Sequence, residues 1–155
     1  MTMNISTIKS IAAACCILML AACKPPVEHY TPSGKPEVTI LKTTKAKVKE
    51  ELLNQMANMG YITTHTDDSM VVFDRPVDNP MAAAFFGSRY DSTPNTRLTY
   101  QIIQQEKWVR VIADFVIITN PGSGFERRTD MNRNEDSKHV QQLLNGIRDK
   151  LEARK

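Results

Sequence analysis

The chain has three cysteines in 155 residues, at positions 15, 16 and 23, and none afterwards. No disulfide and no thiol chemistry are therefore available to residues 24–155, and a fold there must rest on packing. Histidine is almost as sparse, with only His29, His65 and His139. That leaves little material for a structural zinc site, which needs about four ligands, or a catalytic one, which needs about three and a water. No Gly-x-Ser-x-Gly is present, and the glycine-rich stretch Pro121-Gly122-Ser123-Gly124 lacks the Lys-Ser/Thr ending of a phosphate loop. The longest apolar run, residues 11–23, falls short of the roughly 20 residues a spanning helix requires. The formal charge is only +3, which does not by itself imply nucleic-acid binding.

What the N-terminus does contain is ordered. Residues 1–10 carry Lys9 and no acid; residues 11–20 are apolar; Ala21 and Ala22 are small. A basic region, a short apolar region and a small-residue cleavage site read as a secretory signal peptide. A cysteine follows at once. Leu20-Ala21-Ala22-Cys23 resembles the lipobox of bacterial lipoproteins. The resemblance implies cleavage between Ala22 and Cys23, a diacylglycerol thioether on Cys23 and acylation of its new α-amino group. It implies no other cofactor. Several chains on one residue hold a protein firmly to a bilayer, because each buried CH2 contributes about 0.8 kcal/mol. Position 24 is Lys. In enteric bacteria an Asp there tends to retain lipoproteins in the inner membrane, so the resemblance favours the outer membrane, facing the periplasm. Loss of residues 1–22 would remove Cys15, Cys16 and Lys9, leaving 133 residues of formal charge +2 and a single domain's worth of chain.

Residues 24–36 hold four prolines, one glycine and no periodicity. They read as a Pro-rich tether that could reach roughly 40 Å at about 3.1 Å per residue; His29 and Tyr30 within it are a candidate partner motif. Residues 37–155 read as one α+β domain. Residues 37–42 form a first strand, and Thr43 or Thr44 caps a helix whose Val48, Leu52, Met56 and Met59 share a stripe ending at Gly60. Residues 61–66 and 70–74 form a hairpin around Asp67-Asp68-Ser69. Asn79-Pro80 opens a short helix closing at Gly87, inside a long connection. Residues 97–105 and 107–119 are the longest strands, turning near Glu106, and a polar loop follows to about residue 134. Residues 135–154 form the last helix, with Val140, Leu143, Leu144, Ile147 and Leu151 on one face. The order β-α-β-β-(short α)-β-β-α predicts a curved antiparallel sheet of about five strands with both long helices on one face. It resembles small helix-grip or TBP-like modules, such as those of envelope-assembly lipoproteins.

Candidate chemistry is thin. His65, Asp67 and Asp68 have a loose metal-ligand spacing, but the aspartates also suit a hairpin turn, and the turn is the stronger reading. Glu135 and His139 are four apart on the last helix and read as a solvated pair. Arg110 and Asp114 share a strand face and read as structural, either ion-paired with each other or with groups on neighbouring strands, or part of an outward, wet sheet face. Two surfaces remain for a partner: the charged segment Glu126, Arg127, Arg128, and the short-helix residues Met81, Phe85 and Phe86. No nucleophile, base and oxyanion set can be assembled, so the chain is expected not to be an enzyme. The expected role is that of a bilayer-anchored, non-enzymatic binding or structural module for another envelope protein. The alternative is a carrier of a small apolar ligand between sheet and helix, with Phe73, Phe85, Phe86, Trp108 and Phe115 as lining residues.

Overall fold

A computed structural model describes residues 25–77 and 93–153 of the chain. The signal, Ala22, Cys23 and the segment carrying Met81, Phe85 and Phe86 lie outside the described residues. The elements are β1 (Glu37–Leu41), α1 (Lys45–Asn58), β2 (Ile62–Thr66), β3 (Met70–Pro76), β4 (Asn95–Gln104), β5 (Trp108–Thr119), β6 (Arg127–Asp130) and α2 (Ser137–Ala153). The strands form an antiparallel sheet in the order β1-β5-β4-β3-β2, with β6 paired to β5 on the same side as β1.

The helices form where periodicity and capping agree. Thr44 is extended and its hydroxyl accepts from the Lys47 amide, fixing the start of α1. At its end Gly60 takes φ +78, its amide reaches Ala57 O, and the Tyr61 amide reaches Met56 O. This is a Schellman closure, and only glycine adopts that φ without a Cβ clash. Val48, Leu52 and Met56 of α1 are fully buried, as are Leu144 and nearly so Ile147 of α2. Both helices cover the sheet face formed by Val38 and Ile40, Leu98 and Tyr100, and Val109 and Val111. Tyr100 sits at the centre, edge-on to Phe73 at 5.9 Å, with its hydroxyl 3.6 Å from Met56 Sδ.

Two expectations are corrected. The sheet has six strands rather than about five, because residues 127–130 pair with Val116 to Thr119 instead of forming a loop. All four β6 residues are exposed, so no apolar alternation marks the strand; the free edge of a β5 that outruns β1 recruits it. The second correction concerns the tether. Residues 27–36 are docked on the domain: Val27 is buried and its amide donates to Arg133 O at 2.8 Å, and Pro36 O accepts from the Ala113 amide at 2.8 Å. The stretch expected to be a free tether is thus in contact with the domain from Val27 onward.

The open edge of β1 is also closed. Gln141 of α2 accepts from the Glu37 amide and donates to Glu37 O, both at 2.9 Å, and Glu152 accepts from the Leu41 amide at 2.8 Å. Side chains thus take the place of a further strand. Replacing Leu144, which seats α2 on the sheet, by Ala should lower unfolding free energy by about 2–5 kcal/mol in a denaturant titration without changing the secondary structure seen by circular dichroism.

Candidate functional site

Strand alternation gives the sheet two unlike faces. One lies under the helices. On the other, β5 presents Trp108, Arg110, Ile112, Asp114 and Val116; Leu41, Ile103 and Val72 come from β1, β4 and β3. Neither helix packs there, and Leu41 and Ile103 are exposed. Two forked ion pairs lie across this face. Arg110 donates from Nε and Nη2 to the Glu37 carboxylate at 2.6 and 2.9 Å. Arg97 donates from Nε and Nη2 to the two oxygens of Asp74, both at 2.7 Å. Burial opposes ionisation of Glu37, but hydrogen bonds from Arg110 and Ser33 outweigh it and hold the carboxyl below its ordinary value. Of the pairings their shared strand face allows, Arg110 and Asp114 take those with neighbouring segments and not with each other.

The partner of Asp114 belongs to a polar junction at the split edge of β5. β1 covers residues 108–112 of that edge and β6 covers 116–119. Between them, the Phe115 amide donates to Asn132 Oδ1 at 3.0 Å, and Phe115 O accepts from the Met131 amide at 2.9 Å. Asn132, only 3% exposed, donates from Nδ2 to Asp114 at 2.9 Å and Asp130 at 2.8 Å. Lys35 also donates to Asp114 Oδ1. Burial works against the charged form of Asp114, yet Lys35 and Asn132 prevail and its carboxyl lies below the ordinary range. His29 Nε2 stands 3.0 Å from Asn132 O and 2.8 Å from Ser137 Oγ, and that hydroxyl donates to Asn134 O. Both His29 contacts are acceptors, so Nε2 carries the proton. His29 is a strut of the docked segment, while neighbouring Tyr30 points into solvent.

A pocket of about 360 Å3 opens between the helices over β4 and β5. Leu98 and Phe115 form its floor; Met59, Val140 and Leu143 form its walls; Tyr61, Arg75, Asp136 and His139 supply polar atoms. The guanidinium of Arg75 lies 4.8 Å from the Tyr61 ring centre and donates from Nη1 to Met59 O at 3.0 Å. Its Nε is buried without a hydrogen-bond partner among the described residues. Burial raises the Tyr61 phenol above its usual value; Arg75 opposes this and Asp136 adds to it. Tyr61 therefore stays a neutral donor at physiological pH.

The remaining candidates resolve as follows. Asp67 closes the β2–β3 turn, accepting from the amides of Ser69 and Met70 at 2.8 Å, with His65 Nε2 at 3.2 Å. The Ser69 amide, then His65, lowers its carboxyl to about 2. Asp68 pairs with Lys45, and Glu135 with Lys138, at 2.7 Å. Glu126 accepts from the Gly122 amide and faces Arg128 at 3.5 Å, closing the loop ahead of β6; Arg127 and Arg128 are ladder residues. Of the aromatic lining residues expected, Phe115 reaches the pocket, Phe73 packs in the core and Trp108 lies on the opposite face. Tyr61 and Arg75 carried no signal in sequence, because a helix exit and a strand end become one wall only after folding; Asn132 was likewise hidden in a polar segment.

Among the described residues no three His, Cys, Asp or Glu side chains gather as a metal site, and no helix is long and apolar enough to cross a membrane. No family model and no curated protein matches the chain. Asn132 is the residue whose chemistry the junction specifies most narrowly. Asn132→Ala should destabilise by about 2–3 kcal/mol, since it leaves buried hydrogen-bonding groups unmet. Asn132→Asp should cost at least as much at pH 7 and regain part of it near pH 4, because its carboxylate would face those of Asp114 and Asp130. Chemical denaturation of both variants at the two pH values checks this.

Proposed function

We propose that the chain is a bacterial envelope lipoprotein, anchored through acylated Cys23 to the periplasmic side of the outer membrane. Its α+β domain serves as a non-enzymatic binding module for another envelope protein. The lipobox resemblance supports the anchor. The observation that supports the binding role is the sheet face that neither described helix covers. It is apolar at Leu41, Trp108, Ile103 and Ile112, and its charges are already paired as Arg110–Glu37 and Arg97–Asp74. A face of this kind can be covered by a protein partner without burying unpaired charge.

Two measurements test the reading. Cys23→Ala should move the protein from the membrane to the soluble periplasmic fraction; a variant that stays membrane-bound contradicts the anchor. A photocrosslinker at Ile103 should give a discrete protein adduct in intact cells, while one at Asn54, on the exposed side of α1, should not. Equal adducts at both positions, or none at Ile103, would remove the sheet face as the binding surface.

A second reading draws support from the pocket over Leu98 and Phe115. Its 360 Å3 falls in the roughly 300–1,000 Å3 range of small-molecule sites, and an apolar floor with a few polar groups at the wall is the usual pattern. This suits a small amphiphile, with its apolar part on Phe115 and a polar group toward Tyr61 or Arg75. Leu143→Trp should fill the space. Wild-type protein is expected to bind anilinonaphthalene sulfonate saturably and the variant to lose that binding at least about tenfold, which corresponds to roughly 1.4 kcal/mol. Unchanged binding would place the dye elsewhere and leave the carrier reading without its site.

A further inference from the structure

The docked segment changes what a lipid on Cys23 would do to the domain. Val27 is buried and bonded to Arg133 O, His29 is bonded to Asn132 O and Ser137 Oγ, Lys35 meets Asp114, and Pro36 O accepts from Ala113. These contacts fix residues 27–36 along the side of the domain that carries β6 and the first turn of α2. Only Lys24, Pro25 and Pro26 lie between Cys23 and the docked Val27. Four residue steps span at most about 14 Å, whatever their conformation. A free 24–36 segment would span roughly 40 Å. The strand order sets the comparison length on the domain itself. From β6 to β2 there are four strand spacings, about 19 Å in all.

We propose that residues 24–36 are a leash rather than a spacer. They hold the domain against the bilayer by its β6 and α2 N-terminal side, with the β2 edge as the part that stands off. This inference rests on lipid attachment at Cys23 and goes beyond it by naming the side of the domain that meets the membrane. The partner surface is the headgroup layer of the bilayer that carries the anchor. The side facing it presents Tyr30, 96% exposed and three residues past Val27, an aromatic of the kind enriched at membrane interfaces. Its charges are balanced, with Arg127, Arg128 and Arg133 against Glu28, Asp130 and Asp136. Apposition therefore comes from the leash and not from attraction to anionic lipid. The same placement sets the pocket wall, Asp136 and His139, within one turn of Ser137 and so close to the membrane side.

The test uses the full mature, lipidated protein in vesicles containing a headgroup-attached quencher. A fluorophore is placed on a single introduced cysteine, Arg128→Cys on β6 or His65→Cys on β2. Quenching at position 128 should exceed that at position 65 by roughly twofold or more, given the leash length and sheet width. The difference should be the same in zwitterionic and anionic vesicles, and should shrink when about ten Gly and Ser residues are inserted after Pro26. Equal quenching at both positions in protein that floats with the vesicles overturns the leash while leaving the anchor intact. A difference that appears only in anionic vesicles also overturns it, assigning the orientation to charge. Protein that does not float with the vesicles overturns the anchor and the leash together.

Discussion

The middle of β5 is the constraint on which the rest of the structure depends. β4 covers one edge of this strand throughout, but on the other edge β1 stops at Ile112 and β6 begins at Val116. The amides of Ala113 and Phe115, both buried residues, point into the gap. A buried amide without a partner costs about 1–3 kcal/mol, a sizeable share of a domain's net stability. Both amides are satisfied from outside the ladder, one by the carbonyl of Pro36 and one by the side chain of Asn132. Proline suits the first position, since only its carbonyl is needed. Asparagine suits the second, because one side chain must accept from an amide and donate to two carboxylates.

The split edge determines what surrounds it. Because Pro36 must reach Ala113, the segment before β1 is drawn back onto the domain, and Lys35 arrives beside Asp114. Because Asn132 must reach Phe115, the chain turns directly after β6 into α2. That turn puts Ser137 beside His29 and Gln141 beside Glu37. The helix that covers one sheet face therefore also seals the β1 edge. At the far end of the sheet the edge strand is β2, where a register shift between Thr63 and His65 breaks the regular ladder. Irregular, short and polar edges resist pairing with other chains.

Much of this was legible in the sequence, and the rest was hidden for identifiable reasons. Helix α1 could be read because Val48, Leu52 and Met56 repeat at helical spacing between a threonine cap and Gly60; α2 could be read from Val140, Leu144 and Ile147. Five strands could be read from alternation and turn residues. β6 could not, because Arg127 to Asp130 are all exposed and join β5 through the backbone ladder, without apolar alternation. The docking of residues 27–36 was hidden in the same way. A proline-rich stretch with one valine reads as a linker, since neither the burial of Val27 nor the His29 contacts leave a periodic trace. Of the candidate site residues, Asp67 showed its turn role in the Asp-Asp-Ser spacing. Glu126, Arg127 and Arg128 showed their charge but not their part in closing a loop and extending the sheet. Tyr61 and Arg75 meet only through tertiary structure.

The junction also links the two halves of the functional reading. A lipid anchor and a folded domain joined by a flexible linker act independently, and the anchor then supplies only local concentration. Here the peptide that follows the cysteine is itself part of the fold: its carbonyl completes β5, its lysine neutralises Asp114 and its histidine bonds to the start of α2. Undocking it would unmake hydrogen bonds at Ala113, Asp114 and Ser137, so the short connection is enforced by the same contacts that stabilise the sheet. With a lipid on Cys23, position relative to the membrane and integrity of the domain would be one property. The sheet face bounded by Trp108, Arg110 and Ile103, and the pocket above Phe115, would both be held near the membrane surface, and a partner or ligand would have to reach them there.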